Sequence, residues 1–107
     1  MNLRDRITVF KINLTEGDAG EQIEEREDIK IVWCKVIPMN EQRALEHGLI
    51  VGNRAFMVYL RVQSLPELNN DMFFEWKGQT LVIHSVKDSD ARGKYFEVIA
   101  NGNETGY

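Results

Sequence analysis

The sequence holds one cysteine, Cys34, among 107 residues. No internal disulfide can form, which excludes a disulfide-stapled scaffold and fits a reducing compartment, or a particle assembled in one. With only two histidines, His47 and His84, there is little material for a histidine-based acid–base or metal centre. The patterns CxxC, HExxH and GxSxG and the phosphate-binding glycine loop are absent, and with them the usual signatures of metal, hydrolase and nucleotide chemistry. No run approaches the roughly 18 apolar residues of a membrane span, and the start, Met1-Asn2-Leu3-Arg4-Asp5-Arg6, lacks the apolar core of a signal peptide. The expectation is a soluble chain that stays where it is made unless a larger particle carries it. Basic charge is also scarce. Thirteen Lys and Arg face seventeen Asp and Glu, for a formal charge of -4. A generic nucleic-acid binder takes its affinity from neutralised phosphates, so this balance argues against one. It leaves open a protein that lies beside DNA without gripping it.

What the sequence does contain is strand signal. The strongest lies in residues 72–100. Met72-Phe73-Phe74-Glu75-Trp76 and Gln79-Thr80-Leu81-Val82-Ile83-His84-Ser85-Val86 flank Lys77-Gly78, and Tyr95-Phe96-Glu97-Val98-Ile99-Ala100 follows after a polar stretch. Aromatic and β-branched residues fit a pleated surface, and Gly at the second turn position allows positive φ. The pattern predicts a hairpin extended to a three-stranded meander. Upstream, residues 3–14 read as a first strand whose apolar parity shifts from Ile7 and Val9 to Phe10, Ile12 and Leu14. Such a shift predicts a bulge near Val9-Phe10 or burial on both faces. Residues 29–37 form a second strand that is apolar on both parities and ends at Pro38. In the third strand, residues 54–63, the core face is Phe56, Val58, Leu60 and Val62, with Tyr59 and Arg61 turned outward. About six strands at this spacing predict a mainly β fold, a small antiparallel β-barrel with one short helix or long loop. A barrel removes sheet edges and accommodates a strand apolar on both sides. We expect a single domain over residues 1–100 and a frayed, glycine-rich tail over 101–107.

Two polar stretches interrupt the strands. Between Glu16 and Asp28 there are seven acidic residues and one basic residue, Arg26. Like charges extend a chain, so residues 15–28 read as a solvated, mobile loop. Asp18-Ala19-Gly20-Glu21 does not match the alternating carboxylates of a Ca²⁺ loop. The sharper reading is docking on a basic partner through Glu21, Glu24, Glu25, Glu27 and Asp28. In residues 39–53, Asn40 can cap a helix from Glu41 through Gln42 and Arg43 to His47, with Gly48 as its stop and Gly52-Asn53 as a turn. Otherwise it is a long loop, and loops of this size are usually functional or disordered.

No catalytic, metal-ligating or cofactor-binding residue is predicted. Cys34 reads as a small buried residue without an activating base, and His84 as a histidine satisfied within a sheet. A small hydrolase would need a concave site around His84 that the sequence does not show. The interleaving in Phe74-Glu75-Trp76-Lys77 and Lys94-Tyr95-Phe96 fits either an oligonucleotide-binding face or, as is more common, core aromatics.

The order of these features resembles the phage head–tail joining family, also described as head closure or stopper proteins. The matching features begin with Leu3-Arg4-Asp5-Arg6-Ile7, Gly20-Glu21 in a polar stretch, and Val32-Trp33-Cys34-Lys35-Val36, where the family often has Ala in place of Cys, followed by Pro38. Arg61 in the third strand comes next, then Met72-Phe73-Phe74-Glu75-Trp76-Lys77-Gly78, with Trp76 in the aromatic place of a strand–turn Y-x-G segment. Leu81-Val82-Ile83 with Val86, and Arg92 before the last strand, complete it. The likeness covers residues 3–100 and is least in residues 40–53. It implies a structural virion protein of a tailed phage or prophage, assembled in the bacterial host cytoplasm. Its partners would be portal and adaptor (connector) proteins, tail proteins and other copies of itself, commonly in a ring of twelve. Such a ring lies near DNA without sequence-specific binding, closes the exit channel after packaging, and involves no membrane. By position, the channel-facing loop would be residues 39–53, with Met39, Asn40, Glu41, Gln42, Arg43, Gly48, Gly52 and Asn53 as candidates. Another phage connector, a tail-terminator protein or an oligonucleotide-binding barrel are the alternatives.

Overall fold

The structure is a computed structural model that describes residues 2–40, 54–88 and 93–102. Six strands run in chain order: β1 Asp5–Glu16, β2 Gln22–Pro38, β3 Arg54–Arg61, β4 Phe73–Trp76, β5 Gln79–Asp88 and β6 Tyr95–Gly102. A 3₁₀ turn, Val62–Ser64, follows β3. All pairings are antiparallel, and the strands close into a barrel in the order β1-β2-β3-β6-β5-β4. The expected helix over residues 41–47 lies outside the described residues.

The core follows from strand alternation. Ile7 and Val9 of β1, Val32 and Cys34 of β2, Val58 and Leu60 of β3, Phe74 of β4, Leu81 of β5 and Val98 of β6 all point inward and are buried. Leu65, Leu68 and Met72, from the connection between β3 and β4, also join this cluster. The β4–β5 hairpin turns at Lys77 (φ 51°) and Gly78 (φ 75°), the two positive φ values that a type I′ turn requires.

Both bulges shape the barrel. The parity shift in β1 is matched by a register shift: Val9 pairs with Lys30 but Phe10 pairs with Asp28. The extra residue therefore sits in β2, at Ile29. A second shift, between Ile83 and Ser85 of β5, leaves His84 unpaired and exposed. It moves the inward set from Leu81 and Ile83 to Val86.

The largest departure from expectation is residues 15–28, which are not a loop. They are the far half of a long β1–β2 hairpin, with only residues 17–21 as its turn. Gly17 N–H donates to the Glu21 carbonyl (2.8 Å), Gly20 N–H donates to the Gly17 carbonyl (3.0 Å), and Gly20 has φ 83°. The acidic residues have little strand preference of their own. The register comes from β1, whose Ile12, Leu14 and Thr15 are good strand formers paired with Arg26, Glu24 and Ile23. Among the described residues, β4 reaches only Thr8, Val9 and Phe10 of β1, and β3 reaches only Cys34 through Pro38 of β2. Beyond those points the hairpin stands off the barrel as a two-stranded arm about 20 Å long, from six residues at the usual strand rise.

Candidate functional site

Among the described residues no group of His, Cys, Asp and Glu is placed to hold a metal ion. Cys34 is fully buried, and that burial, reinforced by Asp5, pushes its thiol up to about 12. At neutral pH it is a packed thiol and a poor nucleophile. Exposed His84 borders a hollow of about 560 Å³ that Asn69, Asn70, Lys87 and Asp88 also line. Of the aromatic residues that could have made an oligonucleotide platform, Phe74, Trp76 and Phe96 pack into or against the core, and Tyr95 is half-buried beside Arg61 and Lys94. Phe74 is fully buried, and Trp76 meets Phe56 edge-on at 5.4 Å with the Lys77 ammonium 4.8 Å from its ring. What remains is surface, in three places.

The first is the arm. Glu24, Glu25, Glu27 and Asp28 are exposed on β2, and Glu21 closes the turn, its carboxylate accepting from Ala19 N–H (3.1 Å). Glu27 pairs with Lys11 at 3.1 Å. Asp28 belongs to the anchor at the arm's root, where Arg26 donates to Asp28 (2.6 Å) and to Glu75 of β4 (2.9 Å). These two carboxylates, Glu75 first, raise the already high pKa of the guanidinium further. The same guanidinium lies 4.0 Å from the Phe10 ring centroid, and Phe10 stacks on Phe73 at 5.4 Å. Phe10 points away from the core and is nevertheless fully buried. The five acidic residues singled out from sequence are therefore brought onto one projecting element.

The second place is the root of residues 39–53. Met39 N–H donates to the Ala55 carbonyl (2.9 Å), so the segment leaves and rejoins the barrel at neighbouring points. Beside it, Ala55, Met57 and Ile99 form a small outer cluster against which Met39 and Tyr59 pack. Asn40 is exposed. Glu41, Gln42, Arg43, His47, Gly48, Gly52 and Asn53 lie outside the described residues.

The third was not foreseen. The outward parity of β2, expected to be covered, carries Ile31 (56% exposed), Trp33 (55%) and Ile37 (37%). The Arg6 guanidinium sits 5.1 Å from the Trp33 ring centroid. Lys35, on the same parity, was the available signal, because a lysine among apolar residues marks a face open to water. Beside Trp33 the strands fork. β3 ends at Arg61 and turns away, while β2 continues into the arm, with the Lys30 ammonium donating across the fork to the Ser64 carbonyl (2.7 Å). The fork leaves a hollow of about 330 Å³ lined by Asn2, Leu3, Trp33, Arg61 and Ser64.

Among the described residues the distinctive features are surfaces: a charged arm and an uncovered apolar strip on a closed barrel. The family model for the phage head completion protein matches residues 1–103, and the chain belongs to that family. It is thus a structural protein of the phage head–tail region and a virion component. Its fold is similar to the solution structure of protein SF1141 from Shigella flexneri 2a, with TM-score 0.76 and 24% identity over 97% of this chain and 98% of that one. It is also similar to a chain of the virion of a native gene transfer agent particle, with TM-score 0.68 and 16% identity over 94% of each chain. Comparison with curated proteins returned no match.

Proposed function

We propose that the protein joins head to tail as a ring below the portal and its adaptor, and that residues 39–53 close the DNA exit channel after packaging. Family membership over residues 1–103 carries this reading. The likeness to a chain of a gene transfer agent virion is in keeping with it. So is the root geometry: Met39 and Ala55, which flank the segment, are hydrogen-bonded to each other on the barrel wall. A net charge of -4 suits a channel wall along which DNA must slide, since it forgoes the attraction of neutralised phosphates. Tail proteins then attach to the ring's far side.

The test is deletion of residues 41–51 in a phage or prophage that carries this protein. The barrel should fold and dock on the portal complex, while packaged DNA leaks from heads. Normal DNA retention by heads with the docked deletion variant would overturn the assignment of closure to this segment.

A further inference from the structure

We infer that the acidic arm of one copy docks on the Trp33 face of the next, copy after copy, and so closes the ring. The inference rests on the ring reading above and names the contact that builds it. Its first support is that two unpartnered surfaces occur on the same chain. One is the outer face of the arm, where exposed Leu14 (60%) pairs across the hairpin with Glu24. The other is the strip of Ile31, Trp33 and Ile37 with the adjoining hollow.

The second support is charge. Among the described residues, Glu24 and Glu25 on the arm make no ion pair, and neither do Lys35 and Arg61 around Trp33. The unsatisfied charge is negative on one surface and positive on the other, so each surface repels its own kind and attracts the other. Protection of an exposed strand edge explains charge on the arm, but lysines serve that purpose as well as glutamates. Between Glu16 and Asp28 there are seven acidic residues and one basic residue, and with Glu27 paired to Lys11 and Asp28 to Arg26 the remaining excess is negative, for which a basic docking face is the complement.

The third is geometry. Trp33 and the arm's tip lie at different points along one strand, separated by roughly 35 Å at the usual rise. The two patches are distinct, and a contact between different patches is head-to-tail, the kind that generates rings. Leu14 offers an apolar side chain to the hollow beside Trp33, with Glu24 placed to meet Arg61 or Lys35.

Charge reversal with compensation tests this on portal complexes assembled with the full-length protein. Glu24→Lys with Glu25→Lys should cut the assembled fraction by roughly tenfold or more, and so should Lys35→Glu with Arg61→Glu. All four changes in one chain should restore assembly. All sit on exposed side chains, and circular dichroism checks that each variant folds. In parallel, a Cys34→Ala chain carrying Leu14→Cys and Trp33→Cys should give an oxidised ladder extending beyond two copies. Loss of assembly without rescue in the combined variant would assign the arm to a different virion protein and overturn the inference. Cross-linked products that stop at dimers would overturn it in favour of a reciprocal two-fold contact. A ladder and rescue obtained with normal DNA retention after deletion of residues 41–51 would uphold the contact while removing the closure reading.

Discussion

Phe10 and Leu14 occupy the same face of β1, four residues apart, and their truncation should have opposite consequences. Phe10 is fully buried between the Phe73 ring, 5.4 Å away and tilted by 21°, and the Arg26 guanidinium 4.0 Å from its centroid. Phe10→Ala removes that contact and opens a cavity at the arm's root, a change that costs about 3–5 kcal/mol for a buried phenylalanine. The lost cation–π contact supplies about 0.5–1 kcal/mol of this at a partly exposed site. A loss near 3 kcal/mol is a large part of the roughly 5–15 kcal/mol that holds a domain together, and it lowers the melting midpoint by roughly 12–24 °C. Leu14 is 60% exposed, so Leu14→Ala should stay within about 0.5 kcal/mol. Urea unfolding followed by circular dichroism measures both. The reasoning fails if the two substitutions cost the same, or if Phe10→Ala costs less than about 1 kcal/mol. Either result would mean that the ring is not packed under Arg26 in solution.

Three further outcomes are expected. Cys34 has its thiol raised from 9.0 to about 12, so the stability it contributes is complete below pH 9 and is lost as pH rises toward 12; the slope approaches about 1.4 kcal/mol per pH unit, and a Cys34→Ala chain with the same alkaline slope would refute the assignment. Gly78→Ala should cost about 1–2 kcal/mol in thermal unfolding through backbone strain alone, because φ is 75° and an added Cβ meets nothing within 4 Å. Glu75→Gln breaks an exposed ion pair and should change global stability by no more than about 1 kcal/mol, while amide exchange in residues 22–27 accelerates relative to β3 and β6; unchanged exchange would show that Phe10 stacking alone positions the arm.

The barrel was largely legible in the sequence, because its signals are local. Lys77-Gly78 between two apolar runs marks the β4–β5 turn, and the parity change at Val9-Phe10 marks the first bulge. The second bulge, at His84, was masked because Val82 and Val86 make both parities of this run apolar, so the shift of the inward set from Ile83 to Val86 does not stand out. The arm was illegible for a different reason. Its β2 half, rich in glutamate, has no strand preference to detect, and its order is borrowed from cross-strand neighbours such as Ile12 opposite Arg26 and Leu14 opposite Glu24. The open face of β2 was misread because both parities of residues 29–37 are apolar, and burial inside a barrel is the ordinary cause of that pattern. Exposed Ile31 and Trp33 carry the same letters as core residues. Only the neighbouring Lys35, and Arg6 across the ladder, separate the two cases.

Stability and direction are assigned to different residues at the arm's root. Phe10 and Phe73 supply the apolar contact, which is indifferent to the angle at which the arm leaves the barrel. Arg26 supplies the angle. Arg26 lies on the arm, and its two hydrogen bonds run to Asp28 at the root and Glu75 of β4, so one planar guanidinium ties the arm to the barrel. Exposed ion pairs of this kind add little to folding free energy. They do fix geometry, and an arm about 20 Å long turns a small change of angle at its root into a displacement of several ångströms at its tip. Substitutions at Phe10 should therefore destabilise the protein, whereas substitutions at Arg26 or Glu75 should leave its stability nearly unchanged and misdirect the arm. An arm that served only to shield its own strand edges would have no need of such a clamp.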